Sequence, residues 1–209
     1  MTSWPLRLAR RTALVLVACL LPPAVPTPAG AQEFVVDIDA DNVVRFISRA
    51  PTEEFAGVTD RIDGYVRLDG GGLREVDDPE GSELYFEVDL ASLDTGIRRR
   101  NRHMRDNYLE VEKYPYATFR GGVDRIRTDG PGRFRVVASG TFGVHGVERP
   151  LTVECRVDGA APPLRVGCAF GLQLSDFDIE IPRIMFLKLS NDIRVELDFH
   201  LTAASENGS

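Results

Sequence analysis

The densest cluster of reactive side chains is Arg98–Pro115, RRRNRHMRDNYLEVEKYP, which sets five arginines and His103 within eight residues. A guanidinium is a planar fork that donates paired hydrogen bonds to phosphate or carboxylate, so such a knot suits recognition of an anion. The same arginines can instead neutralise nearby acids, Arg102 with Asp106 at i,i+4 being the natural pair. Crowding like charges costs free energy either way, and here it occurs in a chain of net charge −7.

Other chemistry is sparse. His103, His145 and His200 lack the H-x-x-x-H or C-x-x-C spacing of a zinc site, and no metal is expected. There is no G-x-S-x-G elbow, and Gly70-Gly71-Gly72 reads as a turn, not a phosphate cradle. None of the 32 acids is singled out as a catalytic pair. These residues point to binding without catalysis. His145 lies in GTFGVHGVERPLTV, where His-Gly between alternating runs marks a turn. Its imidazole either fixes that turn through a backbone carbonyl or reaches a polar head group.

Residues 1–31 are of another kind. MTSWPLRLARR is basic, TALVLVACLL apolar, and PPAVPTPAGA ends in the small-x-small site Ala29-Gly30-Ala31. This is the pattern of a cleaved export signal, which places the folded part in the periplasm or outside the cell. Lipoprotein processing at Cys19 is the less natural alternative, because the apolar run continues past it. The leader carries Arg7, Arg10 and Arg11 and no acid, so its loss takes the charge from −7 to −10. That charge argues against nucleic-acid binding, and no later apolar run is long enough for a membrane-spanning helix.

The elements that position the cluster are strands. RIDGYVRLD, SELYFEVDL, RFRVVASGTF, LTVECRVD, LRVGCAFGLQL and IRVELDFHLT alternate apolar and polar residues with period 2. Less regular runs at 34–38, 43–49 and 116–126 bring the count to eight or nine. One-sided alternation means an antiparallel sheet, and so many strands with one dry face must close into a barrel or stack as a sandwich. Short links at 69–72, 129–132 and 159–163 read as hairpin turns. The arginine stretch forms a helix over 96–109, with Ile97, Met104 and Tyr108 on one face. The apolar stretch between Leu174 and Ile193 is a long loop that covers something. If Asp158 pairs with Arg165, Cys155 falls opposite Cys168. An oxidising compartment allows a disulfide there, and two small buried hydrophobes are the other reading. The dry faces carry no charge, so a ligand inside would be apolar, but periodicity leaves open whether the interior is a cavity or a filled core.

Two segments also carry a family likeness. SLDTGIRRRNRHMRDNYLEVEKYPYATF (Ser92–Phe119) and GTFGVHGVERPLTV (Gly140–Val153) resemble the YceI-like family of bacterial polyisoprenoid-binding proteins. The matching elements are Asp94-Thr95-Gly96, Arg100, His103-Met104, Lys113-Tyr114-Pro115 and His145-Gly146-Val147. Asn101 departs from the pattern, standing where an acid often follows the arginine. The resemblance implies a lipocalin-like antiparallel barrel, so the expected fold is all-β: an eight-stranded antiparallel barrel over residues 32–202 with one helix inserted between strands, and a flexible tail expected from 203 to 209. It implies an open, elongated pocket for an isoprenoid chain such as a polyprenyl phosphate, ubiquinone or menaquinone, with no other cofactor.

On that reading Phe46, Phe86, Phe119, Phe142, Phe170 and Leu172 line the pocket from the strands. Met104, Tyr108, Leu109 and Tyr114 line it from the helical segment, and Phe186 from the long loop. Arg100, Arg102, His103, Arg105 and His145 are the head-group candidates. The expected function is an exported, non-catalytic carrier. The rivals are an enzyme in the same cavity, with His103 or His145 beside an acid, and a filled-barrel module docking a membrane redox protein.

Overall fold

The computed structural model describes residues 30–49, 54–70, 72–79, 81–181, 183–184 and 187–204. Residues 1–29 of the expected leader, Cys19 among them, lie outside the described residues, as do Phe186 and residues 205–209 of the expected tail. The strands are β1 (Gln32–Val36), β2 (Val43–Arg49), β3 (Glu54–Thr59), β4 (Ile62–Leu68), β5 (Val76–Asp77) and β6 (Glu83–Asp89). After a 3-10 turn at Leu90–Ser92 and helix α1 (Arg98–Asn107) come β7 (Tyr116–Thr128), β8 (Arg133–Val144), β9 (Val147–Asp158) and β10 (Leu164–Gln173). A second 3-10 turn at Leu174–Phe177 leads to a small ribbon of β11 (Arg183–Ile184) and β12 (Leu187–Lys188), and the chain returns along β13 (Asp192–Ala203).

Eleven of these segments form one antiparallel sheet that closes where β1 meets β13. The ring has eight staves because three are broken. β1 and β2 pair successively along β13, at Val36↔Leu201 and then Val43↔Asp198. Their partners β4 and β3 make up the next stave, and β5 continues β6 along β7. The fold is thus an eight-stranded antiparallel barrel of lipocalin-like form with one inserted helix. The nine alternating runs of the sequence reduce to eight because those at 34–38 and 43–49 share a stave. The break between them is patched by the buried Asn42, whose amide donates to Asp37 O (2.7 Å) while its Oδ1 accepts from the His200 amide (2.9 Å).

The expected dry faces point inward. Phe34, Ile62, Leu68, Leu84, Ile126, Leu164, Phe199 and Leu201 are all buried and form one continuous core at the end of the barrel that carries the hairpin turns. Burying each such side chain contributes roughly 1.5–3 kcal/mol. In β7 the alternation slips: a bulge between Val123 and Arg125 leaves Asp124 unpaired with β8, so the inward series runs Phe119, Gly121, Val123, then Ile126. Gly121 and Gly140 face each other across β7 and β8, and a Cβ on either would lie 2.2 Å from a carbonyl oxygen of the opposite strand. The pair marks a close backbone approach where the wall turns.

A second, smaller core closes the other end. Phe177 and Ile179, from the stretch after β10, bury against Leu90, Leu93 and Val144. The part of the apolar stretch that carries Phe177 and Ile179 therefore covers the barrel end, as its composition predicts. Helix α1 is shorter than expected. Gly96 stays outside it with φ +79°, and Ile97 is its N-cap. Ile97 is consequently 51% exposed instead of packing with Met104 and Tyr108.

Candidate functional site

Side chains of both cores together enclose a cavity of about 640 Å³, within the roughly 300–1,000 Å³ of small-molecule sites. Its walls are the inward residues of the staves, including Ile193, Val195, Leu197, Phe199 and Leu201 of β13. Among the described residues no acidic side chain lines it. Buried Ser48 and half-buried Thr118 are polar groups on its wall. At one end the lining passes to Ile97, Arg99, Arg100 and His103 beside α1, facing Phe46, Ser48 and Phe55 of β2 and β3. That gap is the mouth.

Phe46, Phe86, Phe119, Phe142, Phe170, Leu172, Met104, Tyr108 and Leu109 all line the cavity. Phe142 packs edge-on against both Phe170 and Phe177, at 5.7 and 5.5 Å between ring centroids. Tyr114 does not line it. Its ring lies 5.0 Å from that of His145 and crowds Gly146, where a Cβ would meet Tyr114 Cε1 at 2.5 Å. The K-Y-P and H-G-V elements thus meet each other outside the cavity, and Gly146 (φ +75°) is required both by the turn and by the ring above it.

The head-group candidates separate. Arg100 and His103 line the mouth. The Arg100 guanidinium donates to Thr95 Oγ1 and Thr95 O (2.8 and 2.6 Å) and sits 4.6 Å from the centre of the Phe55 ring. Arg105 turns away to donate to Leu93 O at 2.8 Å, and Arg102 points to solvent; neither lines the cavity. His145 also lies off the cavity wall. Its Nδ1–H donates to Phe177 O (3.1 Å), and Nε2 stands 3.6 Å from a Glu110 carboxylate oxygen. His145 therefore fixes a left-handed turn (φ 54°) and ties down the stretch that covers the barrel.

Asn101, the departure from the family pattern, is a hub. Its Oδ1 accepts from the Thr95 amide and hydroxyl (2.8 and 2.6 Å), and its Nδ2 donates to Asp94 Oδ1 at 2.6 Å. The Asn101 amide, then the Gly96 N–H, hold the Asp94 carboxyl below its ordinary pKa, with Arg105 adding a weaker pull. An acid at 101 would set a second carboxylate against Asp94.

Among the described residues, Arg98, Arg99 and Arg102 have no acidic partner. The Arg102–Asp106 pair expected from their spacing does not form among the described residues. An exposed i,i+4 pair is worth only about 0.3–0.5 kcal/mol, too little to hold two long side chains in place. The first turn of α1 contains no acid, and Ile97 supplies no side-chain cap. Arg98, Arg99 and Arg100 therefore sit at the positive end of the helix dipole, at a cost of roughly 0.3–1 kcal/mol each.

Arg99 and Phe55 are rim residues that sequence reasoning did not single out. Arg99 differs from its neighbours only in its angle around α1. Phe55 lies in β3, whose alternation is interrupted by Gly57. That glycine leaves room for the Phe46 ring, since a Cβ there would lie 2.1 Å from Phe46 Cε1. Cys155 and Cys168 face the cavity from opposite positions of β9 and β10 and are joined by a disulfide, Cα to Cα 4.4 Å.

A closed antiparallel barrel around one apolar cavity, with a helix at its mouth, is the architecture of lipocalin-like proteins. Residues 34–201 match the YceI-like domain family, and the chain belongs to it. It is 25% identical over 187 residues to a UPF0312 protein of Vibrio parahaemolyticus, covering 85% of this chain and 90% of that one. A UPF0312 protein of Azotobacter vinelandii is 29% identical over 161 residues, 73% of this chain and 79% of its own. Two solved structures share the fold. One is a polyisoprenoid binding domain from Saccharophagus degradans implicated in plant cell wall breakdown (TM-score 0.64, 20% identity, 85% of this chain and all of that one). The other is BcnA of Burkholderia cenocepacia (TM-score 0.58, 19% identity, 81% of this chain and 99% of that one).

Proposed function

We propose that this chain is an exported binding protein that carries an isoprenoid-type lipid, a polyprenyl lipid or isoprenoid quinone, in its barrel without transforming it. The observation that carries this reading is the 640 Å³ cavity, walled by aliphatic and aromatic side chains and fringed by positive charge only at its mouth. An apolar chain would occupy the cavity, and a polar or anionic head would remain beside Arg99, Arg100 and His103. The polyisoprenoid binding domain of similar fold from Saccharophagus degradans supports the ligand class, and the signal-like leader supports export. The residues an enzyme would need together are divided: His103 borders the cavity, whereas the His145–Glu110 contact lies off its wall.

Mass spectrometry of the organic extract from purified native protein tests this. An isoprenoid lipid in near-stoichiometric amount is the expected result. An extract without lipid, together with failure of the delipidated protein to take up apolar fluorescent probes, would exclude a carrier role.

A further inference from the structure

The exposed side of α1 carries Arg98, Arg99 and Arg102. Among the described residues none of the three makes a hydrogen bond or ion pair. Asp106 shares that face; Asp94 is engaged by Asn101 and Gly96, and Glu110 lies beyond the helix, beside His145. Next to the arginines stands Ile97, 51% exposed, and Ile97 and Arg99 both border the cavity mouth. Unpaired positive charge, an exposed apolar side chain and the opening of an apolar cavity therefore coincide at one rim of a chain whose net charge is −7.

We propose that this rim docks on an anionic phospholipid bilayer. Arg98, Arg99 and Arg102 meet lipid phosphates, Ile97 enters the interface, and the mouth opens onto the membrane. The inference rests on the proposed lipid cavity: a ligand insoluble in water is then exchanged between bilayer and barrel without crossing solvent. Charge favours one orientation, because the rest of the chain is net acidic and is repelled by an anionic membrane, whereas this rim is attracted. An acidic protein partner would account for the arginines but would leave Ile97 and the adjoining mouth without a role.

The test is co-sedimentation with vesicles of phosphatidylglycerol in phosphatidylcholine against pure phosphatidylcholine, at about 0.05 and 0.5 M salt, where screening differs strongly. Wild type should bind the anionic vesicles at low salt only. The triple variant R98Q/R99Q/R102Q should keep its melting temperature and lose affinity on the order of a hundredfold, since each basic residue near an anionic surface contributes several-fold. Arg133→Gln, beside the turns at the opposite end of the barrel, should bind as wild type. Wild type that ignores anionic vesicles, as docking to an acidic protein would predict, overturns the proposal. So does equal binding to both vesicles, or anionic binding that survives in the triple variant. Uptake of an apolar fluorescent probe without vesicles is measured in parallel. Intact uptake with no vesicle binding removes the docking alone, whereas absent uptake removes the cavity reading and the docking with it.

Discussion

Reducing the Cys155–Cys168 disulfide of the delipidated protein should cost about 3 kcal/mol of stability. The two residues are 13 apart in sequence, so the bond closes a loop of about 14 residues in the unfolded chain. The chain-entropy relation assigns such a loop about 10 cal/mol/K, hence about 3 kcal/mol at 25 °C. Little of this is offset in the folded state, because the register does not depend on the bond. Arg165↔Asp158 and Val166↔Val157 continue the pairing of β9 with β10, and Val157 and Val166 are buried in the larger core. Reduction of wild type is a cleaner perturbation than substitution, since both sulfurs stay in the cavity wall. The assay is urea unfolding with and without reductant, thiol titration confirming two free thiols in the reduced sample. The midpoint should fall while the folded barrel persists, and the melting temperature should drop by about 6–12 °C for a domain of this size. Ligand must be removed first, because anything bound only to the folded state raises both curves by an amount set by its concentration. Coincident midpoints for oxidised and reduced protein would refute the reasoning, as would a barrel that unfolds outright on reduction.

Gly146→Ala, which demands a left-handed alanine beneath the Tyr114 ring, should destabilise by more than about 1 kcal/mol. Gly167→Ala, whose new Cβ meets nothing within 4 Å, should melt as wild type or slightly higher; equal melting of the two variants would contradict the packing described. The depressed Asp94 pKa contributes stability that is present above the unfolded value of about 3.9 and is lost as pH falls through the lower folded value. Asn101→Leu removes the largest cause of that depression, so melting against pH should show a lower neutral plateau and a shallower decline below about pH 4. An unchanged acid limb would show that the Asn101–Asp94 bond has no such part. Phe170→Trp, which pushes bulk into the cavity, should reduce uptake of an apolar probe more than it reduces stability, overpacking costing roughly 1–3 kcal/mol. Stability loss with undiminished uptake would place Phe170 in a packed core.

Period-2 alternation alone assigned the inward residues of β13 and of β8 to β10, because in a strand successive side chains must point to opposite faces. The same register argument set Cys155 opposite Cys168, and a helix was legible from the length and charge of the arginine stretch between two strands. The irregular staves were not legible. β3 hides behind Gly57, whose missing side chain makes sense only once the Phe46 ring is seen to occupy that space. The bulge at Asp124 shifts the phase of β7 midway, and the two runs before β3 share one stave because both find their partner in β13. Tyr114 and His145 belong to motifs that read as site residues, yet they pack on each other and on the covering stretch.

The sequence by itself thus determined which side chains enter the barrel and which stay wet, since that choice is local and repeats every second residue. Whether opposite walls meet or stand apart is a distance between residues remote in the chain, and only closure of the eight staves decides it. Closure left a cavity of about 640 Å³ lined by side chains of both cores. The direction of each arginine around α1 was settled in the same way, by which face of the helix the barrel could bury.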